Sequence, residues 1–219
     1  MDFQIVGNPE FGHVDVNLRP GEKLYIESGA MAHMSSHLGL NSRLLGGFLK
    51  ALIRKLATGE SLMVGEYSAE KEGVLSLSPS LPGEVRHLKV GSGPEVFLQG
   101  GSFLACSPGV DIATKFGGLR AFFSSEGLFF MKFSGNGDLF FNAYGAIIEH
   151  DVDGSFVVDT GHVVGWESTL DWRIKGMGGL KATLLSGEGL VMEFQGKGKL
   201  WTQTRAEGGL VSWLSRFCW

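Results

Sequence analysis

An internal repeat constrains the fold of this chain more than any other feature, because a unit written several times must be built and stacked the same way each time. Three short apolar stretches each run into a glycine: Leu24-Tyr25-Ile26-Glu27-Ser28-Gly29, Val96-Phe97-Leu98-Gln99-Gly100-Gly101 and Phe156-Val157-Val158-Asp159-Thr160-Gly161, with starts 72 and 60 positions apart. A second landmark keeps the same step. Gly46-Gly47-Phe48, Gly117-Gly118-Leu119 and Gly178-Gly179-Leu180 are spaced by 71 and 61. The last two copies share more, since Leu119-Arg120-Ala121 through Phe133-Ser134-Gly135-Asn136-Gly137-Asp138-Leu139 tracks Leu180-Lys181-Ala182 through Phe194-Gln195-Gly196-Lys197-Gly198-Lys199-Leu200. Repeats of about 1–85, 86–147 and 148–207 follow, with an apolar segment 208–219 behind them.

Within each copy the runs are strand-like. Leu128-Phe129-Phe130-Met131-Lys132-Phe133 and Gly189-Leu190-Val191-Met192-Glu193-Phe194 are rich in aromatic and β-branched residues and are bounded by glycine. The 34 glycines among 219 residues have no three-residue register, which excludes a collagen-like chain and points to many tight turns. Asn136-Gly137 and Lys197-Gly198 read as hairpin turns. Repeats of some 60 residues cannot each bury a core cheaply, so the expectation is one all-β domain, 1–219, with pseudo-threefold internal symmetry and related sheets around a shared interior.

The first copy carries about ten extra residues between Gly47 and Glu60, and their pattern is helical. Over 43–57, Leu45, Phe48, Leu49, Leu52, Ile53 and Leu56 fall on one arc of a helical wheel while Arg43, Lys50 and Arg54 fall opposite. Burying that face would release on the order of 10–20 kcal/mol, so it needs a cover: the β body, a subunit interface, or an anionic membrane surface. The C-terminal Leu210–Trp219 segment, with Trp213 and Phe217, is too apolar for a free tail and is expected to dock on the body or on a neighbouring subunit.

Chemistry-bearing patterns are sparse. Lys plus Arg is 19 and Asp plus Glu 23, a net charge of −4 that disfavours nucleic acid as a partner. Cys106 and Cys218 form neither a CxxC pair nor a disulfide framework and read as reduced thiols of a cytoplasmic protein. No basic n-region opens the chain, and no apolar run approaches the roughly 18 residues of a spanning helix. His33 and His37 are the one close histidine pair and lack a further ligand at metal spacing. Asp159, His162 and Ser168 share a turn region without a GxSxG elbow. The glycine clusters lack the Lys-Ser or Lys-Thr of a phosphate-binding loop. No cofactor and no enzymatic activity are expected.

The stretch Gly46-Gly47-Phe48-Leu49-Lys50-Ala51-Leu52 through Thr58-Gly59-Glu60-Ser61-Leu62, Pro20-Gly21-Glu22 with Glu27-Ser28-Gly29-Ala30-Met31, and the paired Gly-Gly-Leu segments resemble the family named for altered inheritance of mitochondria protein 24, over roughly residues 1–205. The resemblance implies a fold like the tryptophan RNA-binding attenuation protein, triplicated into a pseudo-threefold double-stranded β-helix and often assembled into trimers. It carries no catalytic residues onto this chain. A non-enzymatic, oligomeric scaffold or protein-interaction protein, possible at a membrane surface, is the expected function; a small-ligand or RNA binding module using a groove between repeats is the alternative.

Overall fold

The computed structural model describes residues 1–44, 63–116, 129–176 and 190–218. Its strands are β1 (Asp2–Val6), β2 (His13–Leu18), β3 (Lys23–Glu27), β4 (Met31–Met34), β5 (Leu38–Leu44), β6 (Met63–Ala69), β7 (Gly73–Leu77), β8 (Val85–Val90) and β9 (Val96–Gln99). They continue as β10 (Phe103–Cys106), β11 (Val110–Phe116), β12 (Phe129–Gly135), β13 (Gly137–Asn142), β14 (Ile147–Asp159), β15 (Val163–Glu167), β16 (Leu170–Gly176) and β17 (Leu190–Gln203). A 3₁₀ turn, Thr160–His162, precedes β15, and one short helix, α1 (Glu207–Leu214), follows the last strand.

The strands form three antiparallel sheets. One has the order β1-β2-β7-β4, the second β5-β6-β3-β10-β13-β8, and the third β11-β12-β9-β15-β17-β14 with β16 also on β17. Among the described residues none of the three closes on itself.

Side-chain alternation explains which faces meet. In β2, Val14, Val16 and Leu18 are buried while His13, Asp15 and Asn17 are half-exposed, the period-two pattern of a strand with one wet face. The central strands lack that alternation because both of their faces are covered. Every residue of β10 and of β13 is buried. Leu139 and Phe141 of β13 enter a central core with Leu98, Phe133 and Trp201, while Phe140 between them enters a second core with Val14, Leu24 and Leu75. Likewise Met131 and Phe133 face the central core, and Phe130 faces a third with Phe97, Trp166 and Phe194. The unbroken apolar runs are thus strands sandwiched between two cores.

Two expectations need correction. Asn136-Gly137 does not turn a hairpin: β12 pairs with β11 and β9, β13 pairs with β10 and β8, and the chain passes from one sheet to another between them. Lys197-Gly198 lies inside the continuous strand β17, whose first half pairs with β16 and whose second half pairs with β15. Both corners are made by glycines at positive φ, Gly135 (+90°) and Gly196 (+127°), which bend the chain without reversing it. A Cβ at Gly135 would stand 2.5 Å from the Gly109 carbonyl oxygen, so the bend is also close-packed. The expected helix 43–57 does not begin at 43, because Arg43 and Leu44 end β5, opposite Val64 and Met63. Residues 45–57 lie outside the described residues, as do the three Gly-Gly landmarks.

Candidate functional site

The residues that sequence patterning marks for interaction divide into two groups. Leu45, Phe48, Leu49, Lys50, Leu52, Ile53, Arg54 and Leu56 lie outside the described residues, and Arg43 is a strand residue. Trp213 and Phe217 lie on and just beyond α1. That helix carries Glu207 in its first turn, where the helix dipole favours an acid, but its cap residue Ala206 offers no side-chain hydrogen bond. No residue of α1 is buried: Trp213 is 55% exposed and, one turn on, Phe217 is 64% exposed, with Val211 and Leu214 exposed beside them. The two rings meet edge to face, centroids 5.2 Å apart, forming one apolar patch. Sequence patterning allowed this segment to dock on the body, which these residues do not do.

Beside the first residue of α1 is a polar cleft of about 170 Å³, lined by Glu27, Gln99, Ser102, Asn142, Tyr144, Gln203 and Glu207 among others. It forms where the ends of β3, β9, β13 and β17 come together. Its walls are held by hydrogen bonds: Gln203 Oε1 accepts from the Tyr144 amide (2.9 Å), and Gln203 Nε2 donates to the Gly161 carbonyl (2.9 Å). Oriented to suit its neighbours, the Gln99 amide donates to the carbonyls of Val163 (2.8 Å) and Thr160 (3.1 Å). Asn142 Nδ2 donates to the Gly101 carbonyl (3.3 Å), while its buried Oδ1 finds no donor among the described residues.

Charged clusters occupy the sheet surfaces. Glu149 accepts from Trp201 Nε1 (2.8 Å) and pairs with Lys199, and Arg86 bonds both Glu84 (2.7 Å) and the Ile147 carbonyl (2.8 Å). Hydrogen bonds from Lys199 and then Trp201 hold the Glu149 carboxyl below the usual carboxylate range. Burial alone would raise Asp138, but hydrogen bonds from His87 (2.8 Å) and Lys89 (3.1 Å) outweigh it and lower its pKa. On β17, hydrogen bonds from Lys175 and Arg173 likewise lower Glu193. Burial pushes the Cys106 thiol up to about 12, which leaves it protonated and unreactive at neutral pH.

Of the residues singled out for metal or nucleophile chemistry, His37, Asp159 and His162 are engaged in local structure. His37 Nε2 contacts the Glu72 carbonyl oxygen (2.9 Å), and His33 sits exposed on β4. Asp159 caps the 3₁₀ turn by accepting from the Gly161 amide (2.8 Å), and His162 Nδ1 contacts the Gln203 carbonyl oxygen (2.7 Å). Among the described residues no three of His, Cys, Asp and Glu converge as a metal site, and no helix is long and apolar enough to cross a membrane.

With this geometry in view, the comparison with known proteins is decisive at the level of family. A family model described as mitochondrial biogenesis AIM24 matches residues 3–205. The chain belongs to the AIM24 family. It is 30% identical over 213 residues to the uncharacterised protein M6_Spy0233 of Streptococcus pyogenes serotype M6, covering 93% of this chain and 86% of that protein. It also resembles the crystal structure of protein SPYM3_0169 from Streptococcus pyogenes, with a TM-score of 0.84, 29% identity and 99% of each chain covered.

For this AIM24-family chain, the described groups offer an exposed aromatic patch, a small amide- and carboxylate-lined cleft and paired surface charges. The cleft residues and the Glu149–Trp201 contact escape sequence reasoning. Glu149 stands opposite Trp201 in the β14–β17 ladder, a relation that only the strand register reveals.

Proposed function

We propose that this AIM24-family chain is a non-enzymatic oligomeric scaffold, built from three copies of a six-strand unit, whose apolar C-terminal helix is covered in the assembly by a neighbouring copy. The exposed helix α1 carries this reading. Eight residues that include Gly208 and Gly209 have too little intrinsic helix stability to hold themselves in water, so burial of Val211, Trp213, Leu214 and Phe217 must supply the rest.

The recurrence of one ladder order supports the three-copy reading. Reading β5-β6-β3-β10-β13-β8 against β11-β12-β9-β15-β17-β14 places β5 with β11, β6 with β12, β3 with β9, and so on, strand by strand. The three Gly-Gly landmarks then fall in sequence between the two strands of equivalent antiparallel pairs, which end at Leu44 and Met63, Phe116 and Phe129, and Gly176 and Leu190. Free Cys106 and Cys218 fit a reducing, cytoplasmic setting.

Size-exclusion chromatography with light scattering tests the scaffold: the full chain should run as a multiple of its own mass, and removing 210–219 should lower that mass. A clean monomer at micromolar concentration overturns the proposal. Flotation with anionic vesicles separates it from membrane attachment, and intact protein remaining in the aqueous phase is the expected result.

A second reading rests on the cleft, where the donorless Asn142 Oδ1 and the carboxylates of Glu27 and Glu207 suit a small polar ligand better than RNA, whose phosphates the acids would repel. A thermal-shift screen tests it, since a ligand at about 100 times its Kd adds about 2.7 kcal/mol of stability.

A further inference from the structure

Two strand ends around the polar cleft hold amide side chains in the same way, and only one of the two is satisfied. Gln203, the last residue of β17, donates through Nε2 to the carbonyl of Gly161, the second residue past β14, and accepts through Oε1 from the Tyr144 amide, both at 2.9 Å. Asn142, the last residue of β13, donates through Nδ2 to the carbonyl of Gly101, the second residue past β9, at 3.3 Å. Asparagine is one methylene shorter than glutamine, and here its carbonyl oxygen reaches no donor among the described residues, although the residue is only 7% exposed. A buried acceptor in this position has given up bulk water without a protein donor in exchange.

We infer that this cleft is a binding site for a small primary ammonium compound, its N–H groups donating to Asn142 Oδ1 and its charge set beside the Glu207 carboxylate. The inference rests on the small-ligand reading of the cleft given above and names the ligand's chemical class.

The chemistry of the walls selects a donor that carries positive charge. The side-chain amides of Gln99, Asn142 and Gln203 each donate to backbone carbonyls. Glu27 and Glu207 bring carboxylates to the lining, and neither Lys, Arg nor His is among the lining residues. Glu207 is placed by the first turn of α1: a Cβ at Gly101 would stand 3.9 Å from its Oε1, so the carboxylate and the Asn142 amide meet at the same glycine. The hydroxyls of Ser102 and Tyr144 accept as readily as they donate. An anion would be repelled here, and a quaternary ammonium has the charge without an N–H. A metal ion needs several converging ligands, and no three of His, Cys, Asp and Glu supply them among the described residues. A primary ammonium has the charge and three donors together. The volume of about 170 Å³ takes roughly six water-sized groups of about 30 Å³ each, the size of a short aliphatic amine.

Head-group substitution at constant size tests the class directly. Butylamine, butanol, butyrate, tetramethylammonium and calcium are each titrated into the full-length chain by calorimetry and thermal shift, in about 150 mM salt to screen surface association. Butylamine should bind saturably and raise the thermal midpoint, and the other four should not. Glu207→Gln, at an exposed position, should weaken butylamine binding at least tenfold while leaving the circular dichroism spectrum unchanged. Asn142→Gln, whose extra methylene extends into the cleft, should abolish binding; if that variant misfolds, Glu207→Gln decides. Tetramethylammonium or calcium binding as well as butylamine, or a Glu207→Gln variant that binds like wild type, overturns the inference. If butylamine does not bind but another compound of the thermal-shift screen does, the ammonium class is overturned and the small-ligand reading stands. If nothing binds, both fall.

Discussion

Replacing Trp166 with phenylalanine should cost far less stability than its position suggests. Trp166 is fully buried at the centre of the third core, stacked on Phe97 at 5.3 Å and met edge-on by Phe130 at 4.9 Å, Phe194 at 5.3 Å and Trp172 at 5.6 Å. Truncation to alanine would empty that site and should cost about 3–5 kcal/mol. Phenylalanine keeps most of the ring contacts and leaves roughly 40 Å³ unfilled, which at about 24 cal/mol per Å³ costs about 1 kcal/mol, with a similar loss of apolar transfer. Against this stands the indole Nε1–H, which is buried and has no acceptor among the described residues. Removing an unsatisfied buried donor returns about 1–3 kcal/mol. The terms nearly cancel, so Trp166→Phe should lie within about 1 kcal/mol of wild type. Urea unfolding followed by far-UV circular dichroism measures the difference without depending on the fluorophore that is removed. A loss of about 3 kcal/mol or more would refute the reasoning, because it would mean that the indole donor is satisfied.

Other consequences follow from packing and charge. Gly165→Ala would set a Cβ 2.5 Å from the Phe97 carbonyl oxygen and should push β15 off β9, lowering the thermal midpoint by about 5–10 °C, whereas Gly93→Ala, which meets nothing within 4 Å, should leave it unchanged. The lowered pKa of Asp138 means that its contribution to stability is complete above the unfolded carboxylate value of about 4 and is lost as pH falls through the folded value. Asp138→Asn should therefore flatten the acid limb of a stability-against-pH curve measured by denaturant unfolding; an unaltered limb would contradict the pairing with His87 and Lys89. Because α1 buries none of its residues, removing 210–219 should leave the near-UV dichroism of the β body intact while lowering the assembled mass, and loss of the near-UV signal would show that the segment packs on its own chain after all.

By itself the sequence determined the β class. Runs such as Phe129-Phe130-Met131, aromatic and bounded by glycine, read as strands, and the structure covers them on both faces. It also marked Trp213 and Phe217 as residues in need of a cover. Tertiary structure decided which strand lies beside which. Asn136-Gly137 has the composition of a hairpin turn, yet β12 and β13 part there into different sheets, because Gly135 can bend the chain equally well toward a neighbour or away from it. The contact of Glu149 with Trp201, the closing of Gln203 over the cleft and the open edges of β4 and β14 all depend on ladder register between residues tens of positions apart. Alternation along a strand records the environment of each face, while the hydrogen-bonding edges are backbone, the same for every residue, and so leave no mark in the sequence of the strand they will join.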